Sequence, residues 1–184
     1  MRQLRKGPLF AAVAIPVLFA LFSGALIGGN GVGWFAKLDK PRFLVPLWTF
    51  YLVGLGYYAG CAAVLYRILV YVSDRRGEMA SLAMIIILML LNELWNYLFF
   101  GLRSTLAGFL RIVAVLVPLT ALLLVLRMYE ALSARMVTAY YLWELCDLAW
   151  TYQLWRLNGS SRYDTSAARL RYRRVCAAVI QWTA

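Results

Sequence analysis

Two stretches, LNELWNYLFFGLR at residues 91–103 and YYLWELCDLAWTYQLWRLN at residues 140–158, decide how this chain is read. They hold four of its seven tryptophans, and each sits in an apolar segment long enough to cross a bilayer. Yet both carry Asn, Glu, Asp or Thr within that length. Polar side chains in lipid are costly unless they turn toward a protein interior or a cavity, so ionisable groups inside a span point to a functional site.

The surrounding sequence has the same character. Of 184 residues 64% are hydrophobic and 15% charged, and the mean hydropathy is +0.71. A soluble domain is closer to half apolar and a quarter charged, so the composition implies an integral membrane protein. Apolar runs cover Pro8 to Gly29, Pro46 to Val72, Met79 to Leu102, Leu106 to Leu126 and Met136 to Leu157, each near the roughly 20 residues of a spanning helix. The expected fold is an all-α, multi-pass bundle of five transmembrane helices over residues 1–158, followed by a basic tail, 159–184. The first run has the basic flank and small residues of a signal peptide. It outlasts a usual signal core, and its removal would leave four helices, so it is read as a retained span.

Histidine is absent and the three cysteines, Cys61, Cys146 and Cys176, are far apart. That excludes imidazole-ligated haem and Ser-His or Cys-His catalysis, and it gives no disulfide framework or metal cluster. No cofactor is implied, and a haem-type ligand would have to be held without histidine. The net charge of +11 comes from residues at span ends and in the tail, so membrane lipid is the expected partner and nucleic acid is not. With five spans, the N-terminal side carries eight Lys and Arg and the opposite side eleven, counting Arg103 and Arg111 as span-end charges. The positive-inside rule then places the C-terminus in the cytoplasm, a bias that disappears without the tail. The absence of a transit-like leader favours a bacterial inner membrane. Arg169, Arg171, Arg173 and Arg174 would hold the tail on anionic lipid at about 1 kcal/mol each; a disordered basic tail is the competing reading.

Between the first two spans lies GGNGVGWFAKLDKPRFLVP, Gly28 to Pro46, whose glycines are expected to end the first helix and whose Lys40-Pro41 step is extended. The other connections are short, so neighbouring helices should pack antiparallel. Gly24 to Gly28 and Gly56 to Gly60 are small-xxx-small patterns that permit close helix approach and a dimer.

At 3.6 residues per turn, Asn92, Trp95, Asn96, Phe99 and Arg103 share a face of the third span, with Glu93 at its border. Tyr140, Trp143, Asp147, Trp150, Thr151 and Leu154 share one on the fifth, with Glu144 at its edge. Two such stripes can enclose a flat, largely apolar ligand between the third and fifth helices, the indoles stacking and the amides meeting its polar rim. The alternative is that the polar groups are interhelical hydrogen-bond glue. Trp34, Trp48 and Trp155, near span ends, read as interfacial anchors. Leu148, Tyr152 and Arg156 match a loose pattern proposed for sterol contact.

These residues resemble the TspO/translocator protein family of five-helix membrane proteins. The first loop resembles the family's tryptophan- and proline-rich motif through Trp34, Leu38, Lys40, Pro41, Pro46, Trp48 and Phe50. The third span is similar through Leu91, Asn92, Trp95, Phe99, Phe100 and Gly101, and the fifth through Tyr140, Trp143, Trp155, Arg156, Leu157 and Asn158. The resemblance implies a pocket toward the first loop, porphyrin or sterol-like ligands, and homodimers, with Asn92, Trp95 and Trp143 at pocket positions and Phe50 in the loop motif. The chain departs from the pattern at Gly54, where the family has tryptophan, at Asn96-Tyr97, at Ala139, and at Glu144, Asp147 and Thr151. A carboxyl at Asp147 disfavours a purely apolar ligand. Three functions remain: a receptor or transporter for tetrapyrrole or sterol-like molecules with the first loop as lid; oxidative or light-dependent porphyrin breakdown, weakened by Gly54; and a transporter coupled through Glu93, Glu144 and Asp147.

Overall fold

The computed structural model describes residues 5–159, with the side chains of 28–30 left aside. Expectations about the tail beyond 159, Cys176 included, lie outside the described residues. The described residues form five α-helices, α1 (Lys6–Ala36), α2 (Leu47–Tyr71), α3 (Arg75–Asn96), α4 (Thr105–Tyr129) and α5 (Ala131–Asn158), with a π-helical turn, Tyr97–Gly101, closing α3. Among the described residues there is no strand. The first four helices are long and apolar enough to cross a membrane; α5, at 28 residues, has the length but a more polar composition.

Side-chain caps start the last three helices where polar residues interrupt the apolar runs. Asp74 accepts from the Gly77 amide at 2.7 Å, Ser104 from Ala107 at 3.1 Å and Glu130 from Ser133 at 2.6 Å. Each satisfies one of the amides that a helix leaves unpaired at its start. The short turns then force α3, α4 and α5 into antiparallel neighbours, and these pack most closely, with α1 against α2; α2 meets α3 and α5 more lightly.

The first helix runs seven residues past Gly29, where the apolar run read from the sequence ends. The glycines at 28–33 were expected to end it, and they do not. Their cost in a helix is about 1 kcal/mol each, and the hydrogen-bonded helix persists through them. Gly31 also gains a role: a Cβ there would lie 3.0 Å from Cβ of Phe100, so its absence lets α1 close on the π-turn. The first loop therefore shrinks to residues 37–46. Neither Gly56 nor Gly60 meets another helix in this chain: a Cβ on either would enter open space, and both line an apolar cavity of about 440 Å³ among α2 to α5.

Two clusters fill the bundle. One is aliphatic, with Leu65, Ile68, Met89, Val115, Leu119, Leu122 and Leu126 at 1% exposure or less. The other is aromatic, built on Phe35, Phe99, Trp150 and Leu154 with Trp34, Phe50, Trp95 and Phe100 against them. At the far end of α2 a two-pronged ion pair fixes the helix to the α4–α5 turn, Arg67 donating Nε to Glu130 Oε2 at 2.9 Å and Nη2 to Oε1 at 2.6 Å.

The Arg67 hydrogen bonds, with help from Ser133, hold the Glu130 carboxyl down at about 2, below its ordinary value near 4.3. A group with a lowered folded pKa stabilises the fold above its unfolded pKa and loses that contribution as the pH falls through the folded one. The melting temperature in detergent is therefore expected to drop between about pH 4.3 and pH 2. Glu130→Ala should lose about 0.5–2 kcal/mol at neutral pH and show a flatter acid limb, which thermal melts of both proteins across that range would measure.

Candidate ligand cavity

A cavity of about 410 Å³ opens within the bundle, bounded by residues of all five helices and the π-turn. Eight residues of the aromatic and polar stripes, Asn92, Trp95, Asn96, Phe99, Tyr140, Trp143, Asp147 and Trp150, line it together with Phe50 of the first-loop motif, whereas Arg103, Thr151 and Leu154 of the same stripes do not. The expectation of a pocket between the third and fifth helices is too narrow. Ser23, Gly24 and Phe35 of α1 and Tyr57 and Tyr58 of α2 form the opposing wall.

The aromatic end is held by edge and face contacts. Trp95 stacks on Phe99 with ring centroids 4.9 Å apart and planes 7° from parallel. Trp150 meets Phe50 edge-on at 5.2 Å, and Phe50 meets Trp143 at 6.3 Å. The π-turn inserts one extra residue into the repeat, keeping Phe99 buried while Phe100 faces Phe35 and Gly31. It also ends the helical stripe, so Arg103 lies outside it, in an exposed turn at φ 55°. Trp34 packs edge-on against Phe99 at 5.3 Å and is part of this cluster, an addition to its reading as an interfacial anchor. Trp48 is 62% exposed, and Trp155 stacks on Phe109 at 5.6 Å.

Asn158 secures the loop over this end. It accepts from the Asp39 amide at 3.1 Å and donates to the Asp39 carbonyl at 2.9 Å, while its amide also reaches Leu154 O. Leu38 and Leu44 of the loop pack on the aromatic cluster.

The polar wall follows from helices in which each polar group turns inward. Asn96 donates to Ser23 Oγ at 2.6 Å, crossing from α3 to α1. Tyr58 donates to Glu93 at 2.6 Å, and Asn92 donates to the Tyr58 oxygen at 3.2 Å. Glu93 itself is buried behind these two. Trp150 donates its indole N–H to Asp147 Oδ1 at 2.6 Å, so the two residues that share a helical face are joined. Thr151 bonds back to the Asp147 carbonyl at 2.5 Å, serving its own helix.

The sequence placed one participant only at a stripe edge and missed a second. Glu144, placed at a stripe edge, lines the cavity at 2% exposure and accepts from the Tyr140 hydroxyl. Arg111, counted among span-end charges, is 4% exposed inside α4; it donates Nε to Leu91 O at 2.6 Å and pairs with Glu144 at 3.5 Å. The available signal was an arginine five residues into an apolar run, with a carboxylate on the next helix to receive it. Removing Arg111 from the flanking charges also lowers the count on which the orientation rested. The sterol-type residues lie elsewhere: Leu148, Tyr152 and Arg156 line neither cavity, and Tyr152 is 40% exposed beside Phe109. Among the described residues no cluster of His, Cys, Asp and Glu could hold a metal ion.

The sequence profile of the TspO/MBR family matches residues 12–156. This chain belongs to the TspO/MBR family. It is 25% identical over 150 residues to protein CrtK of Rhodobacter capsulatus, covering 82% of this chain and 92% of that protein. It is 29% identical over 149 residues to the tryptophan-rich protein TspO of Archaeoglobus fulgidus, covering 80% and 95%. Membership and the apolar helices together make it an integral, multi-pass membrane protein.

Asp147→Ala leaves the Trp150 N–H buried without an acceptor, a loss of about 1–3 kcal/mol. Asp147→Asn keeps an oxygen at that point and should retain most of it. Melting temperatures of the two variants in the same detergent separate the outcomes; equal losses would mean that the indole bond contributes nothing.

Proposed function

We propose that this protein is a membrane receptor or transport protein that holds a porphyrin-type tetrapyrrole in the 410 Å³ cavity, with sterol-like molecules as the weaker class. The observation that carries the reading is the composition of that wall: the indoles of Trp95, Trp143 and Trp150 together with Asn92 and Asn96. Flat rings stack on indoles, and amides pair with a polar edge. Arg111, Glu144 and Asp147 on the same wall favour a tetrapyrrole over a sterol, because a bare hydrocarbon ring leaves buried polar groups unmatched. With no histidine in the sequence, a haem-type ligand would be held by stacking and by its periphery. Loop 37–46, tied by Asn158, serves as the lid.

The fifth helix completes the reading. Its carboxyls at 144 and 147 face the cavity, so the residues that lower its hydropathy are turned from lipid, and we take α5 as the fifth span. The C-terminus then lies opposite the N-terminus, in the cytoplasm of a bacterial cell by the charge of the tail. A homodimer is compatible with the exposed face of α2 around Gly56.

Titration of the purified protein with protoporphyrin, followed by tryptophan quenching, tests the cavity. Trp143→Ala should weaken binding by about 1–3 kcal/mol, the size of stacking on an aromatic side chain, used by analogy with bases. Equal affinities would remove the assignment. Illumination of the bound complex separates binding from breakdown. Because Gly54 leaves open space where the family has tryptophan, bound and free porphyrin should bleach at the same rate.

A further inference from the structure

Arg111 on α4 and Glu144 on α5 form the one charged pair on the cavity wall among the described residues, and the pair is incomplete on both sides. Arg111 Nη1 stands 3.5 Å from Glu144 Oε2, beyond the roughly 2.7–2.9 Å of a strong charge-assisted hydrogen bond. Arg111 Nε is taken by the Leu91 carbonyl, and Nη2 has no partner. Glu144 Oε1 is taken by Tyr140, and Oε2 accepts no hydrogen bond. Both side chains are more than nine-tenths buried. A buried ion pair repays its desolvation only when the remaining donors and acceptors are satisfied. Here one donor and one acceptor are left over on two paired side chains, and both residues border the space a ligand would fill.

We propose that Arg111 and Glu144 together recognise an uncharged end group on the ligand that accepts from Arg111 Nη2 and donates to Glu144 Oε2, namely a carboxamide or a protonated carboxyl group. Charge decides among the candidates. A carboxylate would satisfy the guanidinium but place a second anion beside Glu144, with Asp147 one turn further along the same helix. An ammonium would satisfy Glu144 but sit against the guanidinium. Like charges in a low-dielectric interior repel far more strongly than in water. A neutral group with a donor and an acceptor on one carbon leaves the pair balanced and fills both open positions. An ester supplies the acceptor alone and leaves Glu144 Oε2 unmatched. The wall therefore selects ligands by the state of their end group, while the aromatic residues select by ring shape.

This inference rests on the tetrapyrrole reading of the cavity, and the test keeps the two apart. Protoporphyrin, its bis-carboxamide and its dimethyl ester share one ring and differ at the side-chain ends. Wild type is expected to bind the bis-carboxamide at least about tenfold more tightly than the dimethyl ester, the effect of one buried group left without its hydrogen bond. In the double variant Arg111→Met with Glu144→Met that preference should vanish; removing both charges together leaves no uncompensated ion, which buried pairs generally tolerate. Should the double variant fail to fold, the carbonyl stretch of a 13C-labelled bis-carboxamide bound to wild type decides, with a shift to lower frequency expected on hydrogen bonding to Arg111. A dimethyl ester bound as tightly as the amide, a preference that survives in the double variant, or an unshifted carbonyl would overturn the proposal while leaving the cavity assignment intact. Failure of all three porphyrins to bind would overturn both.

Discussion

Lipid offers no hydrogen bonds, and that constraint organises this molecule. A polar side chain on a spanning helix must find a partner inside the bundle or bear a penalty of several kcal/mol. Helices α3, α4 and α5 carry Asn92, Glu93, Asn96, Arg111, Glu144, Asp147 and Thr151 in otherwise apolar surroundings. Turning each inward fixes the rotation of its helix, and it brings most of them to one place. The cavity is the geometric result: helices that must converge on shared polar partners cannot also pack their smooth faces tightly there.

The aromatic end obeys a different rule. Its residues satisfy few hydrogen bonds and instead define space by ring packing. The π-turn after Asn96 is central, because the extra residue keeps Phe99 against Trp95 and Trp150 while presenting Phe100 to α1. Glycines complete the fit. Gly108 admits the ring of Phe99, whose Cδ2 lies 2.6 Å from where a Cβ would stand, and Gly31 admits Phe100. The same cluster receives Leu38 and Leu44 from the loop that Asn158 ties down. Loop and cavity wall are thus one packed unit.

The two halves of the wall divide the chemistry. Indole and phenyl rings accept a flat hydrocarbon surface at little cost in side-chain entropy. The polar half is less permissive, since each buried group there is either matched or destabilising. Departures from the family pattern fall on both halves: Gly54 opens space where the family has an indole, and Glu144 and Asp147 add charge where smaller or apolar groups are expected. The added charge does not stand alone, because Arg111 on the neighbouring helix accompanies it.

The membrane class, the approximate positions of the helices and eight stripe residues around the cavity were legible in the sequence. Hydropathy over about 20 residues and the 3.6-residue repeat are local properties, and the spacing of the tryptophan motifs carried the family. Three matters were decided only by tertiary structure. Glycines 28–33 read as a helix end by propensity, yet a propensity of about 1 kcal/mol per residue yields to tertiary packing, and the close approach of Gly31 to Phe100 draws on the continued helix. Arg111 read as a flanking charge, since only the packing of α4 on α5 shows that a carboxylate waits for it. Apart from Phe50, the walls given by α1 and α2 were invisible because their lining residues, Ser23, Tyr57 and Tyr58 among them, carry no periodic signal of their own. Pairing across helices is a property of how they are placed, and no single segment encodes it.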